Sequence, residues 1–170
     1  MVIGYKCFNK DMTNRYGVQF KVGEIYHTIG EIQFGNNGNG FHICSNMVDV
    51  FRYYNAMNEE VSVCEVKGSG EMITFNDEYY GYYDMYSVEC MEIVREIDRN
   101  EIINMVLRMN EFNVLRFIQL FKLNSFEIEL FEEKYSEFIS ILLAIDYYQN
   151  GILDVYKKYY SGNYVRKRKR

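Results

Sequence analysis

The sequence predicts an α+β protein, with an antiparallel or mixed β-sheet and one short helix in the N-terminal half and a helical bundle in the C-terminal half. Three observations carry that expectation. Apolar residues are 48% and charged residues 25% of the 170-residue chain, the balance of a folded globular protein. Apolar positions alternate with the period of strands up to Ile97 and take helical spacing from Asp98 onward. Glycine-containing breaks at Gly23, at 35–40 and at 67–70 punctuate the first half.

The elements follow in order. Residues 2–8 alternate weakly and run into the polar turn Asn9-Lys10-Asp11. Short β-type runs at 19–22 and 24–28 are separated by Gly23, which reads as a tight turn or bulge. The segment Gly35-Asn36-Asn37-Gly38-Asn39-Gly40 reads as a loop tip or binding lip. It is not a phosphate loop, since no Gly-Lys-Ser/Thr follows and no long helix opens on it. Phe41-His42-Ile43-Cys44 is a short apolar strand, and Ser45 is the expected N-cap of a helix with Val48, Phe51 and Tyr54 on one face, ending near Asn55. A strand at 61–66 is expected to close at Lys67-Gly68-Ser69-Gly70, with another at 72–75. Residues 87–97 carry Met91, Ile93 and Ile97 on one face and Val88, Cys90 and Val94 on the other, the pattern of a central strand.

Beyond Asp98 the helical faces are Ile102, Ile103, Val106 and Leu107, then Val114, Leu115, Phe117, Ile118 and Phe121. Asn124-Ser125-Phe126-Glu127 has the form of a capping box. Tyr135, Phe138, Ile139, Leu142 and Leu143 extend the pattern to a stop at Asn150-Gly151, and a last short helix carries Val155, Tyr156 and Tyr159. The expected organisation is a β-rich module at 1–97, a helical region at 98–162 packed on or beside it, and a basic flexible tail at 163–170.

Charge divides along the same lines. Residues 1–97 are net −7, 98–162 are net −3 and 163–170 are net +5. An acidic body repels nucleic-acid phosphates and attracts basic surfaces, so direct nucleic-acid binding is expected only through the tail Arg166, Lys167, Arg168, Lys169 and Arg170. The densest patch is Asp77-Glu78-Tyr79-Tyr80-Gly81-Tyr82-Tyr83-Asp84. Tyrosine anchors rimmed by acids fit a basic, nucleic-acid-handling partner, which makes Asp77, Glu78, Tyr79, Tyr80, Tyr82, Tyr83 and Asp84 the candidate partner-binding residues.

Chemistry-bearing residues are sparse. Cys7, Cys44, Cys64 and Cys90 form no C-x-x-C pair and read as reduced cysteines in strands. His27 and His42 cannot complete a metal site, although His42 and Cys44 share a strand face. No catalytic residue, metal or cofactor is expected. No stretch approaches the ~18 uninterrupted apolar residues of a membrane span. The opening Met1-Val2-Ile3-Gly4-Tyr5-Lys6 lacks signal-peptide regions, so the expected location is cytoplasmic. Proline and tryptophan are absent, alanine occurs twice, and asparagine, isoleucine, tyrosine and phenylalanine abound, a bias toward AT-rich codons.

Four short segments carry a family resemblance. Gly4-Tyr5-Lys6-Cys7-Phe8 is followed by Phe20-Lys21-Val22-Gly23, then by Gly40-Phe41-His42-Ile43-Cys44 and Tyr53-Tyr54. Over about 3–97 this resembles a small module of phage and prophage proteins, and a related pattern precedes ankyrin repeats in some giant-virus proteins. With the codon bias and the acidic, tyrosine-rich body, the resemblance implies a mobile-element protein that inhibits a host nucleic-acid-handling defence factor. An anti-CRISPR protein acting on a CRISPR effector in a bacterial host is its most concrete form. Residues 41–54 are also similar to the strand–helix segment of ADP-ribosyltransferases. That similarity implies an active or degenerate transferase with Phe41–Cys44 as the strand and Glu89 or Glu92 as the acid. A third alternative is an RNA-tethering adaptor that uses the basic tail.

Overall fold

The computed structural model describes residues 1–34, 38–76 and 84–151. It is α+β, and the chain divides into two compact units, Met1–Ile102 and Ile103–Arg170.

The first unit is a five-stranded sheet of β1 (Val2–Asn9), β2 (Ile25–His27), β3 (Phe41–Cys44), β4 (Val61–Asn76) and β5 (Asp84–Ile97). Every pairing is antiparallel. The order is β2-β5-β3-β1-β4, and β4 also pairs with β5, so the ladder closes on itself through the bridge Tyr5↔Cys44. β5 is central, bordered by β4 on one edge and by β3 and then β2 on the other, as apolar groups on both its faces require. Phe8, Phe20, Ile43, Cys64, Val66, Val88, Met91 and Ile93 form the core within the closed ladder. Phe20 sits between Phe8 at 5.1 Å and Tyr26 at 4.7 Å, so the β1–β2 connection is anchored by its aromatic ring.

Three local details differ from the expectation. The short helix is a 3₁₀ helix, Met47–Tyr53, and its N-cap is Asn46, whose side chain accepts from the Val48 N–H at 3.2 Å. Its buried Met47, Val48, Val50 and Phe51 stand at i and i+3, the spacing that a threefold helix stacks on one side. Secondly, β4 does not stop at Lys67-Gly68-Ser69-Gly70 but runs through to Asn76. Gly68 admits close approach: a Cβ there would meet Val88 Cγ1 at 2.8 Å and Ile43 Cδ1 at 2.9 Å. Gly70, at φ +79°, lies in a bulge between Ser69 and Met72. These glycines mark a bulge and a tight approach rather than a turn. Thirdly, β2 is confined to Ile25–His27, and Gln19 makes only an isolated bridge with Thr13.

The second unit begins within α1 (Arg99–Val106) and continues with α2 (Glu111–Leu120), α3 (Ser125–Lys134), α4 (Ile139–Ala144) and a π-helical turn, Ile145–Asn150. The change of period at Asp98 is the strand-to-helix boundary. The Asn124–Glu127 capping box is formed in both directions, at 2.9 and 2.8 Å. The rings stack in the order Phe121, Phe117, Phe131, Tyr135, and the Tyr135 hydroxyl donates to the Leu107 carbonyl at 3.1 Å. Gly151, at φ +88°, ends the π turn where the sequence places a stop. The expected helix around Val155 lies outside the described residues.

Candidate functional site

β1, β3 and the 3₁₀ helix enclose a cavity of about 210 Å³ in the first unit. β1 contributes Tyr5, Lys6 and Cys7, and β3 contributes the whole of Phe41–Cys44. The 14–20 connection adds Asn14, Arg15, Tyr16 and Phe20, and Val50, Tyr53, Tyr54 and Met85 also line it. Gly38 and Gly40, from the glycine–asparagine loop, complete the lining. Among the described lining residues the charged side chains are the two cations Lys6 and Arg15, and none is a carboxylate, although acids outnumber bases in the chain by 24 to 19.

Lys6 is the central polar group. Its Nζ donates to the His42 carbonyl at 2.8 Å, which fixes the amine across the β1–β3 junction. Burial holds its pKa down, at about 8; the thiols of Cys44 and Cys7 oppose that effect and the Arg15 charge adds to it. Arg15 lies over the Tyr16 ring at 5.0 Å. Burial pushes the Tyr54 hydroxyl up to about 12, and that hydroxyl is hydrogen-bonded to the Arg15 backbone. The Tyr53 hydroxyl donates to Met85 Sδ at 3.1 Å, and burial raises its pKa as well. Such phenols stay neutral in the physiological range and act as donors with flat aromatic walls.

His42 stacks on Phe34 with centroids 5.2 Å apart and rings within 13° of parallel. Burial and then the Lys6 charge lower its pKa, against a hydrogen bond to the Gln33 backbone. The imidazole is therefore neutral at pH 7, and its Nε2 is buried without a partner.

Cys44 and His42 both line the cavity, together with Phe41 and Ile43 of the same strand. A cysteine and a histidine also meet elsewhere in the sheet, Cys90 Sγ and His27 Nδ1 at 3.0 Å. Cys7, Cys44 and Cys64 are buried free thiols and Cys90 is half-buried. Glu89 and Glu92 do not line the cavity. The Glu89 carboxylate accepts from the Glu71 N–H at 2.9 Å in the β4 bulge, and Glu92 pairs with Lys67 at 3.6 Å.

Of the candidate partner-binding residues, Asp77, Glu78, Tyr79, Tyr80, Tyr82 and Tyr83 lie outside the described residues. Asp84 opens β5 opposite Asn76. The tail Arg166, Lys167, Arg168, Lys169 and Arg170 also lies outside them. Sequence reasoning missed Lys6, Arg15, Tyr53 and Tyr54 as one site. The signal available was modest: a lysine in an otherwise apolar strand, and paired tyrosines at the end of the helix.

Residues 2–105 match the family of a domain of unknown function, DUF7666, and the chain belongs to that family. No curated protein matches the chain. No solved structure matches it. No helix among the described residues is long and apolar enough to cross a membrane. Among the described residues, no group of three or more His, Cys, Asp and Glu side chains could hold a metal ion.

Proposed function

We propose that the β-rich unit is a binding module for a small anion with an aromatic or apolar body. The carrying observation is the charge of the cavity lining: its charged side chains among the described residues are Lys6 and Arg15, inside an acidic protein. Burial of Lys6 strengthens its attraction for an anion, because the surrounding dielectric is low, and Arg15 adds a second positive charge at the exposed rim. Tyr5, Tyr16, Tyr53 and Tyr54 supply ring faces and phenolic donors. At about 210 Å³ the space falls below the ~300 Å³ lower end for drug-sized ligands, so it suits one ring bearing one anionic group.

Phenyl phosphate, benzoate and neutral phenol test the reading by calorimetry and by shifts of the thermal midpoint. The two anions are expected to bind and raise the midpoint, and phenol to do neither. Lys6→Met and Arg15→Gln, each folded by circular dichroism, are expected to lose the anion response. Equal binding of phenol and phenyl phosphate, or unchanged binding by both variants, refutes it.

A second role concerns the hairpin of β4 and β5, which pair to their ends at Asn76↔Asp84. Residues 77–83 join these strands and carry the tyrosine and acid cluster. That placement, with the net −7 of residues 1–97, supports inhibition of a basic, nucleic-acid-handling host defence factor, with a CRISPR effector as the concrete case. Pull-down from host cells at low and high salt tests it. Capture of such a factor by the wild type and its loss in Tyr82→Ala/Tyr83→Ala support the role; equal capture by both proteins refutes it.

A further inference from the structure

We infer that Cys90 and His27 form a thiol–imidazole pair that makes Cys90 the site of covalent modification by small disulfides. The pair lies outside the cavity and stands independently of the binding reading. His27 and Cys90 are directly opposed in the β2–β5 register, so both side chains leave the sheet on one face. Sγ and Nδ1 are 3.0 Å apart. With the ring proton on Nε2, Nδ1 accepts the S–H. His27 is exposed and Cys90 half-buried, so a reagent can reach the sulfur.

The other thiols are held differently. Cys7, Cys44 and Cys64 are 3%, 5% and 0% exposed. Burial also pushes the Cys7 and Cys64 thiols up, Cys64 to about 12, which keeps them protonated and inert. The acids along β5 next to Cys90 are engaged elsewhere, Glu89 with the Glu71 N–H and Glu92 with Lys67. Their charge is thereby partly compensated where a thiolate would form.

The step is a thiol–disulfide exchange. His27 Nδ1 takes the Cys90 proton, and the thiolate attacks one sulfur of R–S–S–R. A Cys90–S–S–R bond forms, the original S–S bond breaks, and R–S⁻ leaves. The disulfide is the oxidant, and no other redox partner is needed. The ligand class is a low-molecular-weight disulfide of the glutathione type.

The test is the reaction of the full native chain with dithiodipyridine and, separately, with oxidised glutathione. One equivalent of thiopyridone is expected in a fast phase, faster than for the urea-unfolded chain. Peptide mapping of the wild-type product is expected to place the label on Cys90, a readout that needs no variant. Cys90→Ser is expected to abolish the fast phase. His27→Ala is expected to slow it about tenfold, the factor that losing one hydrogen bond to a charged group is worth. A label on Cys7, Cys44 or Cys64, a rate no faster than in urea, or a His27→Ala rate equal to wild type overturns the inference.

Discussion

The ammonium of Lys6 donates to the carbonyl of His42 at 2.8 Å, across strands whose register contact is Tyr5↔Cys44. One hydrogen bond thus holds a buried cation at the closure of the sheet and beside the cavity. Its protonation links stability and binding to pH in opposite ways.

For stability, the sign follows from where the proton sits. The Lys6 pKa is about 8 in the folded chain and takes the ordinary lysine value when unfolded. Between these values the unfolded chain holds the proton and the folded chain does not, so this group's contribution to stability rises with pH. Below about 8 both states are protonated and the cost of burying the ammonium is present in full. The thiols of Cys7 and Cys64 act the other way above the ordinary thiol range, because burial raises their folded pKa. Lys6→Met separates the two effects. The stability of the variant minus that of wild type, from urea unfolding, is expected to be constant below about pH 8 and to fall toward about pH 10.

For binding, the cation is the form that attracts an anion. Benzoate, fully ionised above about pH 6, is expected to bind with constant affinity from there to about pH 8 and more weakly above it, as Lys6 loses its proton. Calorimetry at a series of pH values checks this, and Lys6→Met is expected to remove the inflection.

Gly4 faces β3 at the same junction. A Cβ on Gly4 would stand 2.6 Å from both the Cys44 carbonyl oxygen and Ile43 Cγ2, one of them backbone that cannot swing away. Gly4→Ala is expected to cost about 1–3 kcal/mol, the range for overpacking, measured by urea unfolding. The accompanying separation of β1 from β3 is expected to weaken anion binding too, since Lys6 reaches His42 across that gap.

Gln149, in the π turn, completes the end of α2. Its Nε2 donates to the carbonyls of Ile118 and Phe121, and its Oε1 accepts from the Leu123 N–H at 2.9 Å. Gln149→Leu keeps an apolar side chain there and strands three buried backbone groups. A loss of at least about 3 kcal/mol is expected, from a penalty of roughly 1–3 kcal/mol for each of the three unsatisfied groups. Loss of helical circular dichroism at lower urea than in wild type is the measurement.

Asn124 offers a milder contrast. Asn124→Ala removes the side-chain half of the capping box on α3 and is expected to cost about 1 kcal/mol. Asn124→Ser, which keeps an acceptor, is expected to recover most of it.

The sequence by itself determined the class of fold, the boundary at Asp98, the central place of β5 and the α3 capping box. Each is written in local terms, as a period, a pair of faces or a four-residue motif, and local physics acts on neighbours along the chain. The Gly68–Gly70 stretch misled because glycine marks turns, bulges and close approach alike. Only Val88 and Ile43, brought against Gly68 from two other strands, decide among them. The cavity was illegible for the same reason. Lys6, Arg15, His42 and Tyr54 come from four parts of the chain, and each reads alone as an ordinary strand, loop or helix residue. His27 and Cys90, 63 positions apart, meet only through the β2–β5 register. Register and sheet closure are set by long-range packing, and they alone placed these side chains together.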